Sequence, residues 1–161
     1  MIVLARCDDR LIHGQCMTVI VQEYDIRSII IVDNETAENP ILRVVFETAG
    51  TNSAPVAVCT VFEALSRISE AMISPVNVLL LMKSPETYLR LLGDLPGLPK
   101  ELNIGPMSKR PGTISVTRAI HLLPKEAEAV HRMDEMGIRV YFRQVPTENT
   151  VEWAQIQKKF E

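Results

Sequence analysis

The sequence predicts an α/β protein built on an open, mostly parallel twisted sheet with helices on both faces. Two observations carry this. Short apolar runs alternate along the chain with segments whose apolar residues recur at helical spacing, and the strongest runs are apolar at successive positions, as strands buried on both faces are. With 161 residues, 47% of them hydrophobic, the chain can build one well-buried core, so a single domain over residues 1–161 is expected.

Val3 and Leu4 open an apolar run that ends at Arg6, and a polar loop over residues 7–14 follows, the pattern of a strand and its exit loop. Val19, Ile20 and Tyr24 then recur at helical spacing and predict a helix over Gln15 to Tyr24. Ser28 to Val32 is a β-branched run stopped by Asp33-Asn34, which predicts a strand covered on both sides. A helix near Pro40 to Ala49, a short strand at Val56 to Val58 and a helix from Val61 to Ile73 continue the alternation. Val76 to Met82 is a further buried strand. Ser84 before Pro85 supplies an N-cap and a proline for the first helical position, so a helix starts there and closes by Gly93. Beyond a Pro/Gly-rich stretch, Leu102 to Ile104, Ile114 to Val116 and Val140 to Phe142 are predicted strands, and a helix between Lys125 and Met136 ends at Gly137.

Composition excludes more than it assigns. A formal net charge of −3 with 23% charged residues gives no strong field of either sign, which argues against nucleic acid as a partner. Cys7, Cys16 and Cys59 lack C-x-x-C spacing and are odd in number, so reduced thiols of a cytosolic protein are expected. The N-terminal residues lack the pattern of a signal peptide, and Val78 to Met82 falls far short of the roughly 18 apolar residues needed to span a bilayer. His121 and His131 have no metal-ligand spacing with a second His or Cys and read as structural; no metal or cofactor is expected. Asp33 and Glu35 read as cap and turn residues, and the basic turn Lys109-Arg110 as solvated surface.

In sheets of this kind ligands bind beyond the carboxyl ends of the strands, where two loops qualify: Cys7 to Gly14 and Met82 to Ser84. The first places Asp8, Asp9, Arg10 and His13 within six residues. A neutral imidazole can attack phosphorus, a guanidinium offers a planar fork of donors to phosphoryl oxygens, and backbone N–H groups at Gly14, Gln15 and the helix start form an anion site aligned with the helix dipole. Asp8 or Asp9 can hold the loop, pair with Arg10, or accept a proton from the non-reacting ring nitrogen; the residue types leave open which does which. Ser84 caps its own helix and is also placed to donate to a bound phosphate.

The stretch Arg6-Cys7-Asp8-Asp9-Arg10-Leu11-Ile12-His13-Gly14-Gln15-Cys16 resembles the R-[IV]-D-D-R-L-I-H-G-Q-V signature of the IIB components of the mannose/fructose/sorbose family of the bacterial phosphoenolpyruvate-dependent sugar phosphotransferase system. Ile30 to Pro40, Asn103-Ile-Gly-Pro-Met and Gly137-Ile-Arg-Val with Val145-Pro146 resemble further, weaker family patterns, so the likeness covers nearly the whole chain. It implies a phosphocarrier in which His13 accepts a phosphoryl group from a IIA partner and passes it to a sugar entering through a IIC/IID membrane permease, with the chain held at the inner face of the membrane through that permease. It further implies Arg10 and Asp9 as catalytic residues beside His13, and Gly14, Gln15, Ser84 and Asp8 at the phosphate. Pro106 replaces a family glycine and removes a backbone donor from its turn, which admits as alternative a regulatory or transfer-impaired phosphate-binding module of the same fold. Cys7 and Cys16 replace aliphatic residues and read as packing.

Overall fold

The two strongest apolar runs pair side by side inside the sheet. The computed structural model describes residues 1–51 and 54–161, with backbone alone for Gln15 and Cys16, so the side-chain readings for those two lie outside the described residues. In chain order the elements are β1 (Ile2–Cys7), α1 (Gly14–Glu23), β2 (Ser28–Val32), α2 (Asn34–Glu38), α3 (Pro40–Thr48), β3 (Val56–Cys59), α4 (Val61–Ile73), β4 (Val78–Met82), α5 (Pro85–Asp94), β5 (Glu101–Ile104), β6 (Ile114–Ser115), β7 (His121–Leu122), α6 (Pro124–Glu135), β8 (Arg139–Phe142), β9 (Val151–Glu152) and α7 (Trp153–Ile156). The sheet order is β3-β2-β4-β1-β5-β8-β9, parallel throughout except for β9 at one edge. The expected open, mostly parallel sheet is therefore present.

Helix starts follow local chemistry. The Asp33 carboxylate accepts the Thr36 N–H (3.0 Å) and opens α2, as its cap reading required. Asn39 Oδ1 accepts from Ile41 and Leu42 ahead of α3, Thr60 and Glu63 form a capping box on α4, and the Ser84 hydroxyl caps α5 through the Glu86 N–H. Some short elements among the described residues have no signal in the sequence reading. Helix α2 is too short to show a period, β7 and β9 have two residues each, and α7 is a single turn. The predicted strand at Ile114 to Val116 shortens to β6, which pairs with β7 in a separate antiparallel ribbon, and Val116 turns inward to bond Ile120.

Strand alternation sorts the core into two layers. On one face Ala5, Cys7, Ile30, Val32, Leu80, Met82, Leu102, Ile104, Val140 and Phe142 pack under α4, α5, α6 and α7. On the other, Leu4, Ile29, Ile31, Leu79 and Leu81 pack under α1, with Ala37 and Phe46 from α2 and α3. That second layer stops at β1. Where β1, β5 and β8 continue the same face, the residues are Arg6, Asn103 and Tyr141, all buried without an apolar cover. Tyr141 lies beneath the guanidiniums of Arg139 and Arg143, at 4.5 and 5.5 Å from its ring centre, and Arg143 also bonds the Tyr24 hydroxyl at the end of α1. Helices thus cover both faces over one half of the sheet, while over the other half a buried polar layer replaces them on the face of Arg6.

Leu80 is fully buried on β4, whereas Ile41 on α3 is 75% exposed. Leu80→Ala is expected to lower stability by about 3 kcal/mol in urea unfolding, and Ile41→Ala by less than about 0.5 kcal/mol.

Candidate functional site

Residues two apart on a strand share a face, so the end of β1 sets Arg6 and Asp8 side by side. Both are 1% exposed. The Arg6 guanidinium reaches across β5: Nη1 donates to Asn103 Oδ1 (2.6 Å) and Nη2 to the Gln144 carbonyl (2.8 Å). It lies on Gly105, where an added Cβ would sit 2.4 Å from Arg6 Cζ. Nη2 also stands 3.6 Å from Asp8 Oδ2. Two motifs of the sequence, one around Arg6 and one at Asn103 to Met107, therefore meet in space.

Asp8 Oδ2 is 2.9 Å from His13 Nε2, and Asp8 Oδ1 accepts the Arg10 N–H (3.1 Å). A carboxylate can only accept, so Nε2 carries the hydrogen, and in the neutral imidazole Nδ1 then keeps its lone pair. The His13 side chain is 18% exposed, open enough to meet a partner. Its place is set by the turn before it. Leu11 closes that turn through its N–H to the Asp8 carbonyl (2.9 Å) and has φ 58°, a left-handed conformation that costs a non-glycine residue about 1–2 kcal/mol. Full burial of its side chain among Leu4, Ile20 and Leu81 offsets this by about 2–3 kcal/mol. Gly14 follows at φ 50°, and His13 occupies the N-cap position of α1 without a side-chain cap bond.

The neighbouring loops hold the site loop on both sides. The Asp8 N–H bonds the Met82 carbonyl (2.9 Å) and the Asp9 N–H bonds the Pro106 carbonyl (3.1 Å), because β4 and β5 flank β1. Asp9 Oδ2 accepts from the Ser108 N–H (2.6 Å). The two carboxylates thus have different partners: Asp8 contacts His13, and Asp9 ties the loop to the turn at Pro106. On either side of Pro106 the donors are already committed, Gly105 N–H to the Cys7 carbonyl and Met107 N–H to that of Ala119.

Among the described residues the exposed Arg10 guanidinium is uncommitted, while Ser84 spends its hydroxyl on capping. Lys83 stands 3.6 Å from Asp33 across the β4 and β2 exits. Arg110 corrects the solvated-surface reading. It forms a fork to the buried Glu126 carboxylate (2.9 and 3.1 Å), which holds its pKa above the ordinary arginine value and locks the turn onto α6. Cys7 is fully buried in the core, and burial, reinforced by the Glu126 charge, raises its thiol pKa, which agrees with packing.

Residues 2–161 match the family described as PTS system sorbose subfamily IIB component. The PTS sorbose-specific EIIB component of Lacticaseibacillus casei is 30% identical over 148 residues, 91% of this chain and 89% of that protein. The PTS mannose-specific EIIAB component of Escherichia coli K12 is 27% identical over 158 residues, 98% of this chain and 49% of that protein. The crystal structure of the IIBSor domain of the sorbose permease from Klebsiella pneumoniae aligns with a TM-score of 0.89 at 28% identity, over 99% of this chain and 98% of that one.

A raised thiol pKa keeps Cys7 protonated at pH 8, so it is expected to resist alkylation in the folded protein and to react once urea unfolds the chain, as peptide mapping by mass spectrometry would register.

Proposed function

Since the chain belongs to the sorbose subfamily of PTS IIB components and is a phosphocarrier that passes phosphate to sugar, we propose that His13 Nδ1 is the atom that carries the phosphoryl group. The observation that supports this most directly is the 2.9 Å contact between Nε2 and the buried Asp8 carboxylate, which leaves Nδ1 as the ring nitrogen with a free lone pair. In this reading the donor is a phosphohistidine on a IIA partner. The Nδ1 lone pair forms a bond to phosphorus as the donor's N–P bond breaks and its electrons return to the donor imidazole. The hydrogen on Nε2 stays in place, and the positive charge that builds on the ring faces Asp8.

Arg10 meets the phosphoryl oxygens with its planar fork, and backbone N–H groups of Gly14 and Gln15 at the start of α1 add donors aligned with the helix dipole. Onward transfer reverses the first step: a sugar hydroxyl oxygen takes the phosphorus, its proton leaves to solvent, and the N–P electron pair returns to Nδ1. Both steps rest on positioning and charge neutralisation. The sugar arrives through a IIC/IID permease, so the chain works in the cytoplasm against the inner face of the membrane. Among the described residues no helix is long and apolar enough to cross a membrane. A IIA partner is supported by the E. coli EIIAB component, in which the matched stretch forms about half of a longer chain. The transfer-impaired alternative draws on Pro106, whose neighbours Gly105 and Met107 donate to the Cys7 and Ala119 carbonyls.

Incubation with a phosphorylated IIA partner is expected to give an acid-labile, alkali-stable phosphate on the wild type and none on His13→Ala; label retained by that variant would overturn the assignment. Arg10→Lys keeps the charge and loses the fork, and a stopped assay should show transfer slowed roughly 10- to 100-fold. Asp8→Asn presents an amide to Nε2 and permits the opposite tautomer, for which a loss of at least about 100-fold is expected by the same measurement.

A further inference from the structure

We infer that Arg6, seated on Gly105, is a positioning residue of the transfer: through Asp8 it sets which ring nitrogen of His13 accepts the phosphoryl group. This rests on the assignment of His13 and adds the element that makes its Nδ1 the reacting atom.

Asp8 is 1% exposed, and its Oδ2 faces both Arg6 Nη2 (3.6 Å) and His13 Nε2 (2.9 Å). A carboxylate removed from water persists as an anion only beside a positive charge. Arg6 supplies that charge permanently, because a guanidinium does not deprotonate in proteins. Take the guanidinium away and nothing fixes Asp8 as an acceptor: a proton taken from solvent onto its carboxylate gives an O–H that donates to Nε2. The imidazole hydrogen then moves to Nδ1, and the lone pair needed for attack is lost there. With Arg6 in place Asp8 accepts only, the hydrogen remains on Nε2, and the new N–P bond forms at Nδ1 while the donor's N–P bond breaks.

The guanidinium owes its position to β5, the loop after it and the segment that follows β8. Asn103 Oδ1 and the Gln144 carbonyl take its hydrogens, and the floor beneath it is Gly105. The first three atoms a Cβ at Gly105 would meet, at 2.4, 2.4 and 2.8 Å, are Arg6 Cζ, Nη2 and Nη1. Gly105 is not among the glycines with positive φ, so alanine fits the backbone, and the three atoms nearest its Cβ all belong to the guanidinium. This separates the positioning role from folding, since Arg6→Gln removes one member of a buried ion pair and is expected to destabilise the chain.

The test uses the full chain with uniform ¹⁵N labelling. In the unphosphorylated wild type, ring ¹⁵N shifts are expected to show hydrogen on Nε2 and a bare Nδ1, and after reaction with a phosphorylated IIA partner a single Nδ1-phosphohistidine. Folded Gly105→Ala is expected to show mixed tautomers, a fraction of Nε2-phosphohistidine, and transfer slowed about 100-fold; Arg6→Gln, where it folds, should do the same. A folded Gly105→Ala with the wild-type tautomer, isomer and rate would overturn the inference, as would hydrogen on Nδ1 in the wild type. Absence of phosphate on wild-type His13 would instead strike the assignment of the carrier, and the tautomer comparison would still decide the role of Arg6.

Discussion

A carboxylate shut away from water must be held by its neighbours, and at the exit of β1 the Asp8 carboxylate is held by Arg6 on one side and His13 on the other. Much of the molecule serves this contact. Strand parity brings Arg6 and Asp8 to one face, parallel pairing with β4 and β5 supplies the carbonyls that fasten the loop, and the buried side chain of Leu11 pins the turn in a conformation it would not adopt alone. The imidazole is therefore presented by a loop with little freedom left to lose, the arrangement in which positioning contributes most to a group transfer.

The division of the sheet into an apolar and a polar half follows from the same requirement. A helix laid over β5 and β8 on the face of Arg6 would need apolar residues beneath it, and those positions are taken by Arg6, Asn103 and Tyr141. The polar layer instead satisfies itself: Asn103 and backbone carbonyls bond Arg6, and Arg143 spans from the Tyr141 ring to the Tyr24 hydroxyl. Buried polar groups of this kind are tolerable only when their partners are in place.

How much of this was legible in the sequence depended on whether the signal was local. Ser28–Val32 and Val78–Met82 announced central strands by continuous burial, and Ser84 before Pro85 marked the start of α5, because propensity, capping and tertiary packing agreed there. The histidine loop stood out through its dense charge. Its division of labour did not, because Asp8 and Asp9 are alike in type and separated only by the parity of the strand behind them. Counting back from Asp8 to Arg6 was the available clue. Arg110 read as surface because its partner, Glu126, lies 16 residues on, and Gly105 gave no hint that its missing side chain makes room for Arg6. Helix α2, strands β7 and β9 and the single turn α7 escaped notice because pairing and docking, rather than any period of their own, hold them.

The bond from Asp8 to Nε2 leaves the imidazole with one face to offer. A ring with a single open nitrogen has room for one counterpart, so giver and receiver cannot sit on it together. With His13 as the proposed carrier, the protein would work as a shuttle, vacating one dock before it calls at the next.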